Sequence, residues 1–304
     1  MLDKKKQRYN LIEYQVQDKE LTLKKILLDK LNMSVRFINK MKKDRNILVN
    51  SKYQTLSYET KVGDLIEVKI DEESNHFEPQ NLNTHVQYED FDIMMINKPP
   101  YMVVHPTKSH PDKTIANGIM FYLKDKDEDP RIRFVNRLDM NTSGLLIVAK
   151  NAYAHHLLSQ DMKDNHVTKK YIAIVKGLIK EDFGTIDKPI YREAEDSIKR
   201  IVDERGQKSV SHFKVIERLE DATIVEVLLE TGRTHQIRVH LSHLGYGIIG
   251  DELYGYVDEN LIKRQALHAY ELEFSQPRTK EKLNFKADLP DDMKQLIEKL
   301  KGEK

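Results

Sequence analysis

Residues 131–150 restrict the fold of this chain more than any other stretch. They read RIRFVNRLDMNTSGLLIVAK, in which a polar loop and a predicted turn at 142–144 run into the apolar residues 145–149. Such an apolar run next to turn residues is typical of a buried strand. Arg137 and Asp139 lie two positions apart, so on an extended segment both side chains point to the same side. The residues alone favour a surface or structural ion pair, but they also permit a catalytic corner.

Composition excludes several kinds of chemistry. The chain has no cysteine, which rules out disulfides, thiolate nucleophiles and cysteine-based zinc sites. Its N-terminus lacks the apolar segment of a secretory signal, and no run approaches the ~18 apolar residues of a membrane span. We therefore expect a cytoplasmic protein without a membrane partner. With 50 basic and 49 acidic residues, any affinity for nucleic acid must come from local patches.

One such patch lies near the N-terminus. Residues 20–50 contain eight lysines or arginines and three acidic residues. Their apolar positions predict two short helices, one over residues 23–31 and a second marked by Val35, Ile38 and Met41. Basic side chains on a small helical unit attract a phosphate backbone, although most charge runs are solvated helix faces.

The same region resembles the small RNA-binding domain shared by a small-subunit ribosomal protein, tyrosyl-tRNA synthetases and many pseudouridine synthases. The resemblance rests on Val49-Asn50 and on the closing Val-Gly-Asp-Leu-Ile of residues 62–66. It implies an RNA-binding domain over residues 1–75, followed by a polar linker over 76–85 and a second domain over 86–304. The implied RNA contacts are Arg36, Lys40, Lys42, Lys43 and Arg45.

The second domain alternates between strand and helix patterns. Apolar runs and alternation predict strands at 92–97, 101–106, 167–177, 211–219 and 222–229. Helices are predicted at 114–123 with Thr114 as cap, at 152–162 with Asn151 as cap, and after Pro290. The charged residues 190–208 predict a surface hairpin or loop that contacts RNA through Lys199, Arg200 and Lys208.

Residues 234–244 predict a further helix, with Thr234 as its cap and Gly245 at its end. Ile237, Leu241 and Leu244 form the expected buried stripe. Three histidines, at 235, 240 and 243, suggest a metal site. His235 and His240 would lie on different faces of a helix, whereas His240 and His243 could share one. No cysteine or evident third ligand supports zinc. We therefore expect no metal.

The residues 136–144, NRLDMNTSG, resemble the active-site motif of the RNA pseudouridine synthases of the RluA/RluD type, with Asn136 where that family usually has histidine. Residues 97–106, 169–177 and 232–240 follow further patterns of the same family. The resemblance implies an α+β fold: a catalytic domain with a mixed, mainly antiparallel sheet beside the small N-terminal domain. It also implies isomerisation of uridine to pseudouridine in structured RNA, without a cofactor.

Roles for individual residues follow from the resemblance. Asp139 would be the nucleophile, Arg238 would pair with it, and Tyr171 would stack on the target uracil. Because a uridine in paired RNA must be extruded, Arg137 beside the nucleophile is the candidate for filling the gap or holding the displaced phosphate. The full set of residues expected to contact substrate is Arg137, Lys98, His105, Gln236 and Arg233.

Two other functions remain open on the sequence. A hydrolase of the glycosidase kind would use Asp139 with a second carboxylate and would release a base. A non-catalytic RNA-binding protein would tolerate loss of Asp139. Ribosomal RNA of the large subunit is the expected substrate of a synthase, with tRNA as the alternative, and we expect a monomer.

Overall fold

A computed structural model describes residues 8–17, 21–126 and 128–302, and these residues form a small sheet and a large one. The small sheet has four strands and lies within residues 11–69. The large sheet has ten strands and begins at residue 85. Both carry helices, so the predicted α+β class with a mixed, mainly antiparallel catalytic sheet is confirmed.

The N-terminal unit, which we call the module, is an antiparallel sheet covered by two helices. Its strands follow the spatial order β1-β4-β2-β3. The strands are β1 (Leu11–Gln15), β2 (Ile47–Val49), β3 (Lys52–Tyr53) and β4 (Leu65–Lys69). The helices are α1 (Leu23–Lys25), which continues as a π-helical turn over Ile26–Lys30, and α2 (Val35–Lys43).

Side chains explain how α2 begins and which face it buries. Ser34 caps the helix, because its hydroxyl accepts a hydrogen bond of 3.2 Å from the backbone N–H of Phe37. The helix predicted from these apolar positions is present, and it buries Ile38 and Met41. Val35 is 59% exposed at the first turn of the helix. Strand β1 was not predicted.

The large sheet contains one parallel pair, β8 with β15, and its other pairs are antiparallel. The main path runs β10-β13-β14-β9-β15-β8-β6-β5, with β16 beside β15 and β7 beside β8, while β11 and β12 form a separate hairpin. In chain order these strands are β5 (His85–Glu89), β6 (Ile93–Lys98), β7 (Arg133–Phe134), β8 (Ser143–Ala149), β9 (Thr168–Lys176), β10 (Phe183–Asp187), β11 (Ile190–Tyr191), β12 (Ile201–Val202), β13 (Val210–Arg218), β14 (Ala222–Leu229), β15 (Leu267–Ser275) and β16 (Lys282–Lys286).

Four helices accompany this sheet: α3 (Ile115–Lys124), α4 (Ala152–Lys163), α5 (Gln236–His243) and α6 (Asp291–Leu300). Thr114 and Asn151 cap α3 and α4 as predicted, and Pro290 precedes α6. Every residue of β8 is buried, which confirms the apolar run as a central strand. None of the helices in the described ranges is long and apolar enough to cross a membrane.

Three local predictions are wrong. Residues 101–106 form a loop instead of a strand, because Tyr101 adopts the left-handed conformation with a φ of 61°. The turn after Asp139 lies at 140–141, so Ser143 already belongs to β8. Helix α5 starts at Gln236 after His235, with no cap from Thr234, and Leu244 is 39% exposed beyond its end.

The module packs directly on the catalytic sheet's helix α4. Tyr153 and Leu157 of α4 belong to the module's own apolar core. The Tyr153 hydroxyl donates to the carbonyl of Leu31 at 2.8 Å, and the Asn151 amide donates to the carbonyl of Tyr9 at 3.0 Å. These contacts fix the module against α4.

The predicted linker over 76–85 is not a free tether. It has no helix or strand until His85, where β5 begins. Phe77 packs on the core of the large sheet, and the Asn117 side chain of α3 donates to the carbonyl of Glu78 at 2.9 Å. The segment therefore runs along the surface of the catalytic domain.

Candidate active site

Asp139 lies in the loop that joins β7 to β8, at the edge of a groove of about 290 Å³. Leu138 points into the core, whereas Arg137 is exposed and the Asp139 side chain is 30% exposed. This alternation is what an extended segment produces. Asp139 and Arg137 thus face the same groove, which is also lined by His105, Tyr171, Arg233 and His235.

Arg238 of α5 connects two carboxylates. Its Nη1 donates to Asp139 Oδ2 at 2.9 Å, while its Nε and Nη2 donate to the two oxygens of Asp251 at 2.7 Å each. The Asp251 side chain is fully buried. Burial acts to lower the pKa of Arg238, but the bonds and charges of Asp251 and Asp139 outweigh it and raise that pKa. The guanidinium therefore stays charged and holds Asp139 in one orientation.

Two glycines allow the backbone to approach closely at this point. A Cβ at Gly144, whose φ is +111°, would lie 2.2 Å from the carbonyl oxygen of Ala269 on β15. A Cβ at Gly250, next to Asp251, would lie 2.0 Å from the carbonyl oxygen of Arg264. Only glycine fits either contact. The two residues let β8 approach β15 and the Asp251 loop approach Arg264.

Asn136 joins the Asp139 loop to β8. Its Oδ1 accepts from the backbone N–H of Ile147 at 2.7 Å, and its Nδ2 donates to the carbonyl of Leu145 at 3.2 Å. This is a supporting contact, as expected for the position where the family usually has histidine.

Two buried cations hold the turn that follows Asp139. Lys98 Nζ donates to the carbonyl of Met140 at 2.8 Å, and Arg264 Nη1 donates to the carbonyl of Asn141 at 3.0 Å. Arg264 is in turn paired with Asp292 of α6 at 2.6 and 2.9 Å. Both cations are almost inaccessible to solvent. Burial, reinforced by the Arg264 charge, lowers the pKa of Lys98 to about 7.

Lys98, predicted to contact substrate, is engaged within the protein in this structure. Its three N–H donors are all used, by the carbonyls of Pro99, Met102 and Met140. Gln236, also predicted to contact substrate, is engaged in the same way. It is 2% exposed, and its amide group already accepts two hydrogen bonds and donates two, to partners in its own loop and in β13. Neither side chain has a polar group left for a nucleotide.

The floor of the groove is apolar. Tyr171 of β9 lies between β14 and β15 in the sheet, and it lines the groove together with Leu138 and Leu229. Tyr171 is 8% exposed, and burial, assisted by the Asp139 charge, raises the pKa of its hydroxyl. A flat ring at the base of a groove beside a carboxylate suits a nucleobase, because aromatic rings stack on bases.

The sequence analysis did not identify His235 and Tyr254 as site residues. His235 adopts a left-handed φ of 59°, and its Nε2 lies 3.8 Å from Asp139 Oδ2. Its Nδ1 lies 2.9 Å from the Tyr254 hydroxyl, which also accepts from the backbone N–H of Arg200 at 2.7 Å. The Tyr254 ring covers Arg238, with 5.1 Å between the guanidinium carbon and the ring centroid. Burial lowers the pKa of His235, against the opposing charge of Asp139.

The hydrogen bonds of the Tyr254 hydroxyl indicate which ring nitrogen of His235 carries the proton. The Tyr254 oxygen already accepts from Arg200, so its single O–H is free to donate to His235 Nδ1. A neutral His235 then carries its proton on Nε2, which faces Asp139. Asp139 is thus bordered by two N–H groups, one from a guanidinium and one from an imidazole.

The basic residues predicted in the module lie on its surface, away from these contacts. All five are exposed, and Arg36, Lys40 and Lys43 fall on one face of α2. Lys40 lies 3.4 Å from Glu72. Within the described residues, no group of three metal-ligating side chains occurs.

Known proteins resemble this chain over most of its length. A sequence model of the family described as RNA pseudouridylate synthase matches residues 92–243. The uncharacterised RNA pseudouridine synthase YlyB of Bacillus subtilis strain 168 is 43% identical over 263 residues, which cover 85% of this chain and 87% of that protein. Ribosomal large subunit pseudouridine synthase D of Haemophilus influenzae is 36% identical over 255 residues, covering 79% and 78%. The solved structure of human RNA pseudouridylate synthase domain containing 1 matches with a TM-score of 0.58 and 27% identity, over 74% of this chain and 97% of that one.

Proposed function

The chain belongs to the RNA pseudouridine synthases of the RluA/RluD type, and from this premise we propose that it modifies ribosomal RNA of the large subunit through Asp139. As a pseudouridine synthase it is an isomerase: the bond between ribose and uracil N1 breaks, and the ribose is rejoined to C5. The resemblance to a large-subunit enzyme at 36% identity supports the choice of RNA.

Asp139 is the proposed nucleophile. The observation that carries this assignment is its position: a partly exposed carboxylate at the edge of a groove, with Tyr171 at its floor and Arg238 beside it. A carboxylate can form a covalent intermediate with an electron-poor carbon. The hydrogen bond from Arg238 keeps Oδ2 of Asp139 oriented, which leaves Oδ1 free to face the substrate.

The other groove residues receive roles from what they can contact. A uridine in paired RNA must be extruded before it can react, at a cost of a few kcal/mol. The Tyr171 ring would stack on the extruded uracil. His105, Arg137 and Arg233 line the groove with polar side chains, and Arg137 and Arg233 suit the phosphates next to the target.

The hydrolase alternative needs a second carboxylate, but among the described residues Asp139 is the only carboxylate that lines the groove. Asp251 is near Asp139, but it is fully buried and both of its oxygens are bound by Arg238. A second acid or base in the groove would have to be partly exposed, as Asp139 is.

The module is the proposed second RNA-binding surface, and we assign it residues 1–75. The exposed basic face of α2 supports this role. Asp139, Tyr171 and Arg238 all come from one chain, which supports action as a monomer. The proposed substrate supports a cytoplasmic location.

Tritium release tests the proposal. Large-subunit ribosomal RNA and, separately, tRNA are transcribed with uridine labelled at C5, and release of the label is measured with wild type, Asp139→Asn and Asp291→Asn. The last variant is a matched control, since Asp291 is 91% exposed at the start of α6. We expect release from ribosomal RNA by wild type and the control but not by Asp139→Asn. Release from tRNA alone would overturn the assigned substrate, and full activity of Asp139→Asn would overturn the assigned nucleophile.

A further inference from the structure

The β11–β12 hairpin encloses a second cavity, of about 480 Å³, beside the Asp139 groove. We call it the arginine cleft, because Arg192, Arg200, Arg205 and Arg233 line it and no acidic residue does. Residues 232–234 line both the cleft and the groove. A polymer that leaves the groove along this shared wall enters the cleft.

Acidic and basic side chains of the hairpin occupy different positions relative to the cleft. Residues 190–208 contain five basic and five acidic residues, so the segment is neutral overall. Its five acidic side chains all lie outside the lining of the cleft, while three of its arginines lie inside. A solvated hairpin with mixed charges needs no such separation, whereas a surface that binds an anion does.

Three of the arginines are oriented by neutral groups. Arg192 Nε donates to the carbonyl of Ser197 at 3.1 Å, and Arg200 Nη1 donates to the same carbonyl at 2.8 Å. Arg233 Nε donates to the carbonyl of Lys208 at 3.2 Å. Among the residues that the structure describes, no carboxylate comes within 4 Å of these three guanidinium groups. The carbonyls therefore hold the arginines in place without cancelling their charge.

Arg205 differs from the other three. It forms two hydrogen bonds to Asp203, at 2.9 and 2.7 Å, and lies 4.5 Å from the centroid of the Tyr191 ring. Asp203 already compensates the charge of Arg205. Arg205 therefore contributes to the shape of the cleft more than to its positive charge.

We propose that the arginine cleft binds the ribose–phosphate backbone on one side of the target uridine, with Arg192, Arg200 and Arg233 contacting phosphates. Guanidinium groups bind phosphate oxygens through paired N–H donors, and three uncompensated ones match a polyanion. This inference rests on the proposed use of the Asp139 groove for the target nucleotide.

A backbone contact sets the distance between the cleft and the reacting group. The N–H of Arg200 donates to Tyr254, which covers Arg238, and Arg238 in turn binds Asp139. The cleft is therefore held at a defined distance from the nucleophile. RNA bound there would place its neighbouring nucleotide over the groove.

The salt dependence of RNA binding tests this site. The probe is a fluorescein-labelled oligouridylate of 12 nucleotides, and its Kd is measured between 50 and 300 mM KCl for the full chain. Arg192→Gln/Arg200→Gln, which changes two arginines that line the cleft but not the groove, is compared with Lys282→Gln/Lys286→Gln. The control removes two charges from β16, where both lysines are exposed and neither lines a cavity described above.

We expect the cleft variant to lower the slope of log Kd against log[KCl] by about 1.4, since each lost phosphate contact removes ~0.7 on a single strand. Each single substitution should give about half of this change, so the result does not depend on the double variant folding. The control pair should leave the slope unchanged. An unchanged slope for the cleft variants would overturn the proposal.

This outcome is separable from the proposed function. If wild type releases tritium from ribosomal RNA while the cleft variants bind RNA normally, only the cleft is wrong. If the slope falls but wild type releases no tritium from ribosomal RNA, the cleft stands and the substrate is wrong.

Discussion

Arg238 donates a hydrogen bond of 2.9 Å to Asp139 although the two residues are 99 positions apart in the chain. The rest of the guanidinium is held by Asp251, which has no exposure to solvent. The orientation of Asp139 therefore depends on Arg238, and the position of Arg238 is in turn fixed by Asp251. Asp251 and Tyr254 do not line the groove, but they hold residues that do or that contact Asp139.

Asp251→Asn should reduce the rate of conversion without weakening RNA binding. The asparagine Oδ1 can still accept from Arg238, but its Nδ2 is a donor and cannot, so the guanidinium loses one of its two anchoring bonds and moves. A misplacement of about 1 Å at a reacting group costs roughly 10²-fold in rate. Breaking the buried pair should also lower the free energy of unfolding by about 3 kcal/mol. Single-turnover conversion at saturating enzyme measures the first effect and urea unfolding the second, and a rate within threefold of wild type would contradict the role.

Tyr254→Phe should show a smaller effect of a different kind. The substitution keeps the ring over Arg238 but removes the hydroxyl that bonds to His235 and to the backbone of Arg200. Each lost hydrogen bond costs about 1 kcal/mol. We expect a moderate loss of stability and an altered pH profile of the rate, because His235 loses the contact that assigns its tautomer. Tyr246→Phe is the matched control, and a pH profile equal to that of wild type would contradict the coupling.

Acid should destabilise the protein through His268. This residue of β15 is buried between the Ser143 hydroxyl and the carbonyl of Ala287, and burial lowers its pKa to about 4 from 6.5. Between these pH values the unfolded chain binds the proton and the folded chain does not. The stability from neutral His268 is complete above pH 6.5 and is lost as the pH falls to 4. The loss is about 3 kcal/mol.

Urea unfolding at pH 7 and pH 4 measures this term. His268→Gln should lose less stability over that interval than wild type does, while the exposed control His166→Gln should follow wild type. Equal pH dependence of wild type and His268→Gln would show that His268 is not the titrating group.

The basic face of α2 should contribute to RNA affinity but not to the chemical step. Arg36→Gln/Lys40→Gln/Lys43→Gln should weaken binding of large-subunit ribosomal RNA and flatten its salt dependence by about 2 in log–log slope. Single-turnover conversion at saturating enzyme should be unchanged. Lys24→Gln/Lys25→Gln, on α1, serves as the charge control, and equal slopes for the two variants would exclude a specific role for α2.

Substitutions on the module's surface are a better test than deletion of residues 1–75. Deletion would expose Tyr153 and Leu157, which the module's core covers. A loss of RNA binding in the truncated protein could then result either from lost RNA contacts or from damaged folding.

The elements that the sequence predicted well are those with strong local signals. The buried strand β8 and the caps Thr114 and Asn151 follow from apolar spacing and side-chain capping. The pairing of Arg238 with Asp139 was expected from the resemblance alone, since no local pattern relates residues 99 positions apart.

The failures have physical causes as well. Lys98 and Arg264 are charged, and a sequence gives no sign that their side chains are buried against carbonyls. His235 was weighed as a metal ligand, whereas its left-handed backbone places it beside Asp139 at the start of α5. The pairing of Asp251 with Arg238 becomes visible only in three dimensions.

The turn after Asp139 has a consequence for synthesis of the protein. Its carbonyl at Asn141 is held by Arg264, 123 positions later, and Arg264 is held by Asp292 of the last helix. While the chain grows on the ribosome, the carboxylate emerges long before the groups that fix it. A nascent chain therefore cannot isomerise uridine until nearly all of the catalytic domain has been translated.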